Sequence, residues 1–184
     1  MSVKPEVVAL RAHGRVLGTR ELGRELAALL RDRVASAKST VLVDFDQVEI
    51  ASSPLLDEVA CALRAAIADH SGRCVVLANL NEDVCDTLLL VLERRDMSLA
   101  VLGDDQLQLI GGRQHLEETL RSAQELGQFT AAQLAERLKI KLPNLHQRLT
   151  QLQAAGAVTR VEPAAGSRRA LMFATPSRKD LIPA

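Results

Sequence analysis

Apolar residues recur along this chain with two different periods, and the switches between them divide it into elements. Leu22, Leu26, Leu29, Leu30 and Val34 share one face at helical spacing, which predicts a helix over Arg20–Ser36 with Thr19 as its N-cap and Glu21 in the first turn. Thr40–Phe45 and Cys74–Ala78 are short, continuous apolar runs rich in β-branched residues. Such runs fit strands that are buried on both faces. A second helix is predicted from Pro54 to about His70, with Leu56, Val59, Ala60, Leu63 and Ile67 inward, Ser53 as N-cap and Gly72 closing it. A third, capped by Asn81, spans Glu82–Arg95 with Val84, Leu88, Leu89, Val91 and Leu92. Pro5–Ala12 reads as an edge strand, Gly14–Gly18 as a turn and Asp46–Ser53 as irregular. Ser98–Leu102 and Leu107–Ile110 read as strands joined by a turn at Gly103–Gln106. This alternation predicts an α/β architecture, one sheet with helices packed on it.

Gly111-Gly112 marks a domain break, and the pattern changes after it. Residues 113–127 are predicted as a helix, followed by a helix over Ala131–Leu138 and a turn over Lys139–Leu142. Pro143 opens a further helix whose Leu145, Leu149 and Leu152 form one inward stripe. Gly156 suits a left-handed helix cap. Val158–Val161 and Leu171–Ala174 are strand-like, with Pro163–Arg169 as the turn between them. Helix, turn, helix and hairpin in this order resemble the winged helix-turn-helix domains of bacterial MarR- and ArsR-type regulators. "FTAAQLAERL" and "RLTQLQAAGAVTR" are the stretches that carry the likeness most specifically.

Charge supports a division of labour. The formal net charge is zero, yet residues 1–112 carry 12 Lys and Arg against 17 Asp and Glu, and residues 113–184 carry 11 against 6. A basic second half is suited to a polyanion. Hydrophobic residues are 47% of the 184, enough for a core. The three cysteines form no CxxC pair and the four histidines do not fall at metal spacing with them, so no metal site and no cofactor are expected, and the thiols read as buried in a reducing cytosol. Met1–Glu6 has no apolar run of a signal peptide, and no stretch reaches the ~18 apolar residues of a membrane span. A cytoplasmic chain without a membrane partner is the expectation. The absence of Trp and Tyr speaks against base-stacking recognition of single strands.

"VLVDFDQVEIASSPLLDEVACAL", with Asp44, Phe45, Val48, Ser52, Ser53, Asp57 and Glu58, resembles the STAS-like superfamily, which includes the anti-sigma factor antagonists; it is most like a STAS-like domain family of unknown function. "LGTRELGRELAALL" fits the same family. The two resemblances imply a STAS-like α/β domain over 1–112, with a mixed sheet and helices, then a winged helix-turn-helix domain over 113–176. A flexible tail, 177–184, would follow. In the antagonists a serine in this turn is phosphorylated by a partner kinase, and aligned on Asp44 it falls at Ser53. Here Ser52 replaces the family's preceding Asp, and Pro54-Leu55 replaces its Ser-Gly. Three roles stay open for Ser53: capping the helix, a phosphorylation switch, or ligand contact. Ser52, Ser53, Asp57 and Glu58 are the residues of this phosphorylation or partner-docking site. Asp57 and Glu58 point about 100° apart on a helix, poor geometry for paired acid–base work. With no GxSxG, phosphate-cradling glycine loop or HExxH, no enzyme is expected.

In the second half, the residues outside the leucine stripe are Asn144, Gln147, Arg148 and Gln151, with His146 and Thr150 flanking. Arg pairs with guanine, and Asn or Gln with adenine. Thr130 and Gln133 are placed to reach phosphates; Arg168 and Arg169, at the tip of the hairpin, would lie along the backbone or enter a minor groove, with Arg137, Lys139 and Lys141 adding positive surface. Leu142 stands where such regulators carry a capping Ser or Thr. The expected function is a DNA-binding transcriptional regulator acting on double-stranded DNA as a homodimer, its STAS-like half a sensor or docking module. The alternative is a protein-interaction regulator with a kinase-like or other regulatory partner, whose winged helix contacts protein instead of DNA.

Overall fold

The computed structural model describes residues 4–70, 72–104, 106–161, 171–176 and 181. Its largest sheet has five strands in the order β1 (Glu6–Ala9), β3 (Thr40–Asp44), β5 (Cys74–Ala78), β6 (Leu99–Leu102) and β7 (Leu107–Ile110). The first four run parallel and β7 runs antiparallel to β6. Helices α1 (Arg20–Ser36), α2 (Ser53–Asp69) and α3 (Glu82–Arg94) connect the parallel strands. The chain is thus α/β with a mixed sheet.

Local chemistry sets the boundaries. The Thr19 hydroxyl accepts a hydrogen bond from the Leu22 amide at 3.2 Å, and the Asn81 side chain accepts one from Val84 at 2.8 Å, so both predicted caps are in place. At α2 the cap is Ser52, whose Oγ accepts from the Leu55 amide and donates to the Gly18 carbonyl. Ser53 is the first helical residue. The expected assignment is thereby corrected by one position, because Pro54 fits equally well at the first or second helical residue. The two segments expected to be a turn and irregular contain a short parallel ribbon instead, β2 (Val16–Leu17) with β4 (Ile50–Ala51). Only Leu17 and Ala51 of this ribbon are buried, too little alternation to read as strands.

α1 and α2 pack closely because Gly23 is buried between them. A Cβ on Gly23 would lie 2.9 Å from the Leu55 Cα and 3.1 Å from its carbonyl oxygen. Elsewhere in a helix, Gly→Ala gains about 1 kcal/mol. Here Gly23→Ala is expected to lose roughly 1–2 kcal/mol, because backbone must move to admit the methyl. Urea denaturation followed by circular dichroism checks the sign, and a more stable variant would refute the close approach.

The sheet's two faces are covered by different parts of the chain. Val41, Val43, Val75, Leu77 and Leu99 pack with α1, α2 and α3. The alternate residues Leu42, Val76, Ala78, Ala100 and Leu109 pack with residues from Leu116 onward. Those belong to α4 (Gln114–Leu126), β8 (Gln128–Thr130), α5 (Ala131–Leu138), α6 (Leu142–Ala154), β9 (Thr159–Val161) and β10 (Met172–Ala174). β8, β10 and β9 form a second, antiparallel sheet in that order. The rings of Phe129 and Phe173 stack across it with centroids 5.9 Å apart.

α4 joins the two halves as a shared wall. The Gln124 side chain accepts from the Leu107 amide and donates to the Leu107 carbonyl, and Glu117 accepts from the Leu109 amide. These bonds occupy the free edge of β7, which would otherwise invite pairing with another strand. The expected loose tail also needs correction at one residue: Leu181 is fully buried in the core on this side of the sheet.

Candidate nucleic-acid interface

α5 and α6 are built around Leu134, Ala135, Leu145, Leu149 and Leu152, all buried. Thr130 starts α5 with a reciprocal cap. Its hydroxyl accepts from the Gln133 amide, and the Gln133 Oε1 accepts from the Thr130 amide. Both side chains were expected at phosphates; the structure commits their oxygens to this capping box instead. Gln133 is exposed and keeps its Nε2 donors for an outside acceptor. Arg137 forms an ion pair with Glu125, which removes it from the free positive surface.

The turn is made by Lys139, whose left-handed backbone (φ 54°) ends α5. Lys141 is the N-cap of α6 and provides no side-chain cap, so the missing capping group is at Lys141. Leu142 is the first residue of the helix and is 42% exposed. Lys139, Lys141, Pro143, Asn144, His146, Gln147 and Thr150 are exposed around the start and outer side of α6.

Two members of the expected outward set do not face out. Arg148 is half-buried; its Nη1 donates to the His115 carbonyl at 3.3 Å and to the Thr119 hydroxyl at 3.1 Å, both on α4. Gln151 lines a cleft of about 310 Å³ with Arg64, Leu92, Met97, Arg113 and Leu116, among others. The reason lies in the helical repeat. Asn144, Arg148, Gln151 and Ala155 follow at i, i+4, i+7 and i+11, a second row beside the leucines. That row turns toward α4 and the large sheet. A lone apolar stripe shows one buried side, whereas α6 is flanked on two. The Ala154-Ala155-Gly156 run was the available signal, since small residues mark close approach. Gln147, His146 and Thr150 are left as the central outer row, with Asn144 exposed at the start of the inner one.

The end of α6 docks on the large sheet. The Ala155 carbonyl accepts from the Ala100 amide at 2.9 Å, and the Gly156 carbonyl accepts from the Val75 amide at 3.2 Å. Gly156 has φ +77°, as its predicted cap role requires, and its Cα lies so close that a Cβ would be 2.6 Å from the Val75 carbonyl oxygen. Beside this contact, Cys74 is buried against Thr159, and burial pushes its thiol up to about 12. Cys61 and Cys85 are half-buried thiols, the latter also shifted up by burial.

On β9 Arg160 is exposed. Arg168 and Arg169 lie outside the described residues, as does the expected turn at 163–169. Among the described residues no group of three His, Cys, Asp or Glu converges in a way that holds a metal ion, and no helix is long and apolar enough to cross a membrane. At the other expected site, Asp57 is bound bidentately by Arg95, and Glu58 lies 3.8 Å from both Arg20 and Arg24. Asp44 accepts from the Asp46 amide and the Asn79 side chain, a structural use of a carboxylate at a strand end.

Comparison with protein-family models, curated proteins and solved structures finds no match to this chain.

Proposed function

We propose that the chain is a DNA-binding transcriptional regulator in which α4–β10 is a winged helix-turn-helix and residues 1–112 a STAS-like sensor or docking half. The observation that supports this most is the arrangement of the second half. Strand order β8-β10-β9 backs a helix pair whose second member, α6, shows a polar outer row of His146, Gln147 and Thr150, with Lys139 and Lys141 beside its start. A duplex major groove accepts a helix of this kind, with polar side chains reaching base edges and flanking lysines neutralising phosphates. Arg148 is reserved for holding α6 against α4, so Gln147 replaces it as the principal base reader. The wing arginines, Arg168 and Arg169, supply further phosphate contacts. One module of this size reads few bases, and a homodimer on a two-fold site provides the rest.

The test is duplex binding across a salt series. Lys139→Ala with Lys141→Ala is expected to weaken all sequences alike and to reduce the salt slope by roughly 2. Gln147→Ala is expected to relax preference at one base pair by about tenfold. Equal binding by wild type and the double lysine variant would refute this placement.

A protein-contact regulator, with a kinase-like or other regulatory partner, is the second reading. Val16 and Ile50, 59% and 55% exposed, stand opposite each other on the β2–β4 ribbon. Ser52 is tied to this ribbon through Leu17 and Gly18. An apolar pair beside the serine turn suits a docked protein. Absence of duplex binding at low salt would favour this reading over the first.

A further inference from the structure

A second polar feature lies on the helix layer formed by α1, α2 and α3, and it shares no lining residue with α4–α6. Arg20 opens α1, Ser53 and Pro54 open α2, and Arg94 and Arg95 close α3. With Asp57 and Val91 they line a hollow of about 260 Å³. Among the described residues Asp57 is the one carboxylate in that lining, and Arg95 occupies it through two hydrogen bonds of 2.8 and 2.7 Å. Arg20 has only a long contact, 3.8 Å, to Glu58, which Arg24 shares at the same distance. Arg94 forms no ion pair with a described residue. The hollow therefore holds more positive charge than its own acids balance. Asp57 registers this: the Arg95 hydrogen bond first, and the fields of Arg95, Arg20 and Arg94, hold its carboxyl below the usual range against the opposing effect of burial.

Ser53 adds a donor. Because Ser52 performs the capping, the Ser53 hydroxyl is not needed for it, and it makes no hydrogen bond to a described residue. Two guanidinium groups with charge to spare and a hydroxyl suit a dianion with several acceptor oxygens; a carboxylate, with one charge and two oxygens, would leave the surplus half balanced. The volume admits a phosphate and a small organic group beside it.

We propose that this hollow binds the phosphoryl group of a small phosphorylated ligand, with Arg94 and Arg20 supplying the charge and the Ser53 hydroxyl a hydrogen bond. The site stands whether the second half contacts DNA or protein.

The probe is inorganic phosphate, titrated into the ¹⁵N-labelled full chain at constant ionic strength. Saturable shifts are expected at the amides of Ser53, Arg94 and Arg95. Arg94→Ala is expected to lower affinity about tenfold, and Arg20→Ala to lower it severalfold. Both side chains are exposed, so the rest of the spectrum should be unchanged. Sulfate should compete, and chloride at matched ionic strength should not. No saturable shift, or wild-type affinity in both variants, would overturn the site. The same chemistry has an internal source, a phosphoryl group carried by Ser53 itself. Intact-mass measurement separates the two. Phosphate binding by the unmodified chain supports a free ligand; a chain isolated as the Ser53 phosphoester and unable to bind phosphate overturns it.

Discussion

Gly156→Ala is expected to lower the unfolding free energy by roughly 3 kcal/mol or more. Two costs add. An L-residue at φ +77° costs about 1–2 kcal/mol by itself. The new methyl would also stand 2.6 Å from the Val75 carbonyl oxygen and 3.1 Å from its nitrogen. Backbone is on both sides, so relief requires α6 to lift from the sheet, breaking the Val75–Gly156 and Ala100–Ala155 hydrogen bonds. Gly127→Ala is the control. Gly127 also has positive φ, +69°, but nothing lies within 4 Å of its added Cβ. It should lose only the conformational part, roughly 1–3 kcal/mol. Urea midpoints of the two variants, read by circular dichroism because the chain has no Trp or Tyr, give the comparison. Equal losses would show that the α6 contact is not tight.

The largest effect is expected from dividing the chain. A fragment of residues 1–112 would expose the whole second face of the sheet: Leu42, Val76, Ala78, Ala100 and Leu109. It would also lose Gln124 and Glu117 from the β7 edge. Parallel sheets are stable when both faces are covered. The fragment should therefore aggregate or populate a loosely packed state that binds a hydrophobic dye, while the full chain unfolds in a single calorimetric transition. Two separate transitions, or a fragment with a cooperative melt, would show that the halves are independent.

The two central strands β3 and β5 explain what the sequence made legible and what it did not. Val41–Val43 and Cys74–Ala78 are continuously apolar, and each indeed has both faces covered. That pattern demands a cover on each side, but α1–α3 account for only one. The break at Gly111-Gly112 reads as the boundary of two separate modules, whereas the second half is the missing cover. Caps at Thr19 and Asn81 and the left-handed Gly156 were readable because each depends on a few adjacent residues. The β2–β4 ribbon was not, since its two strands have two residues each and meet only in space. At the interface, the leucine stripe of α6 located the helix. The direction of Arg148 and Gln151 depended on α4, about thirty residues earlier for Arg148's partners, and no local spacing contains that.

The hydrogen bonds between the end of α6 and the amides of Val75 and Ala100 have an evolutionary consequence. They are made by backbone, so no side-chain exchange can transfer them to a different neighbour. Their geometry depends on how far β5 and β6 extend, and on a glycine that fits one shape of sheet. The halves of this chain are therefore not expected to exchange as cassettes. A graft that replaced residues 113–184 with another helix pair of similar outer face would leave the sheet's second face mismatched, and drift in Leu42 or Val76 would have to be answered in α4 and α6. Divergence in this lineage is expected to run as correlated change across the seam, with the outer row of α6 free to vary on its own.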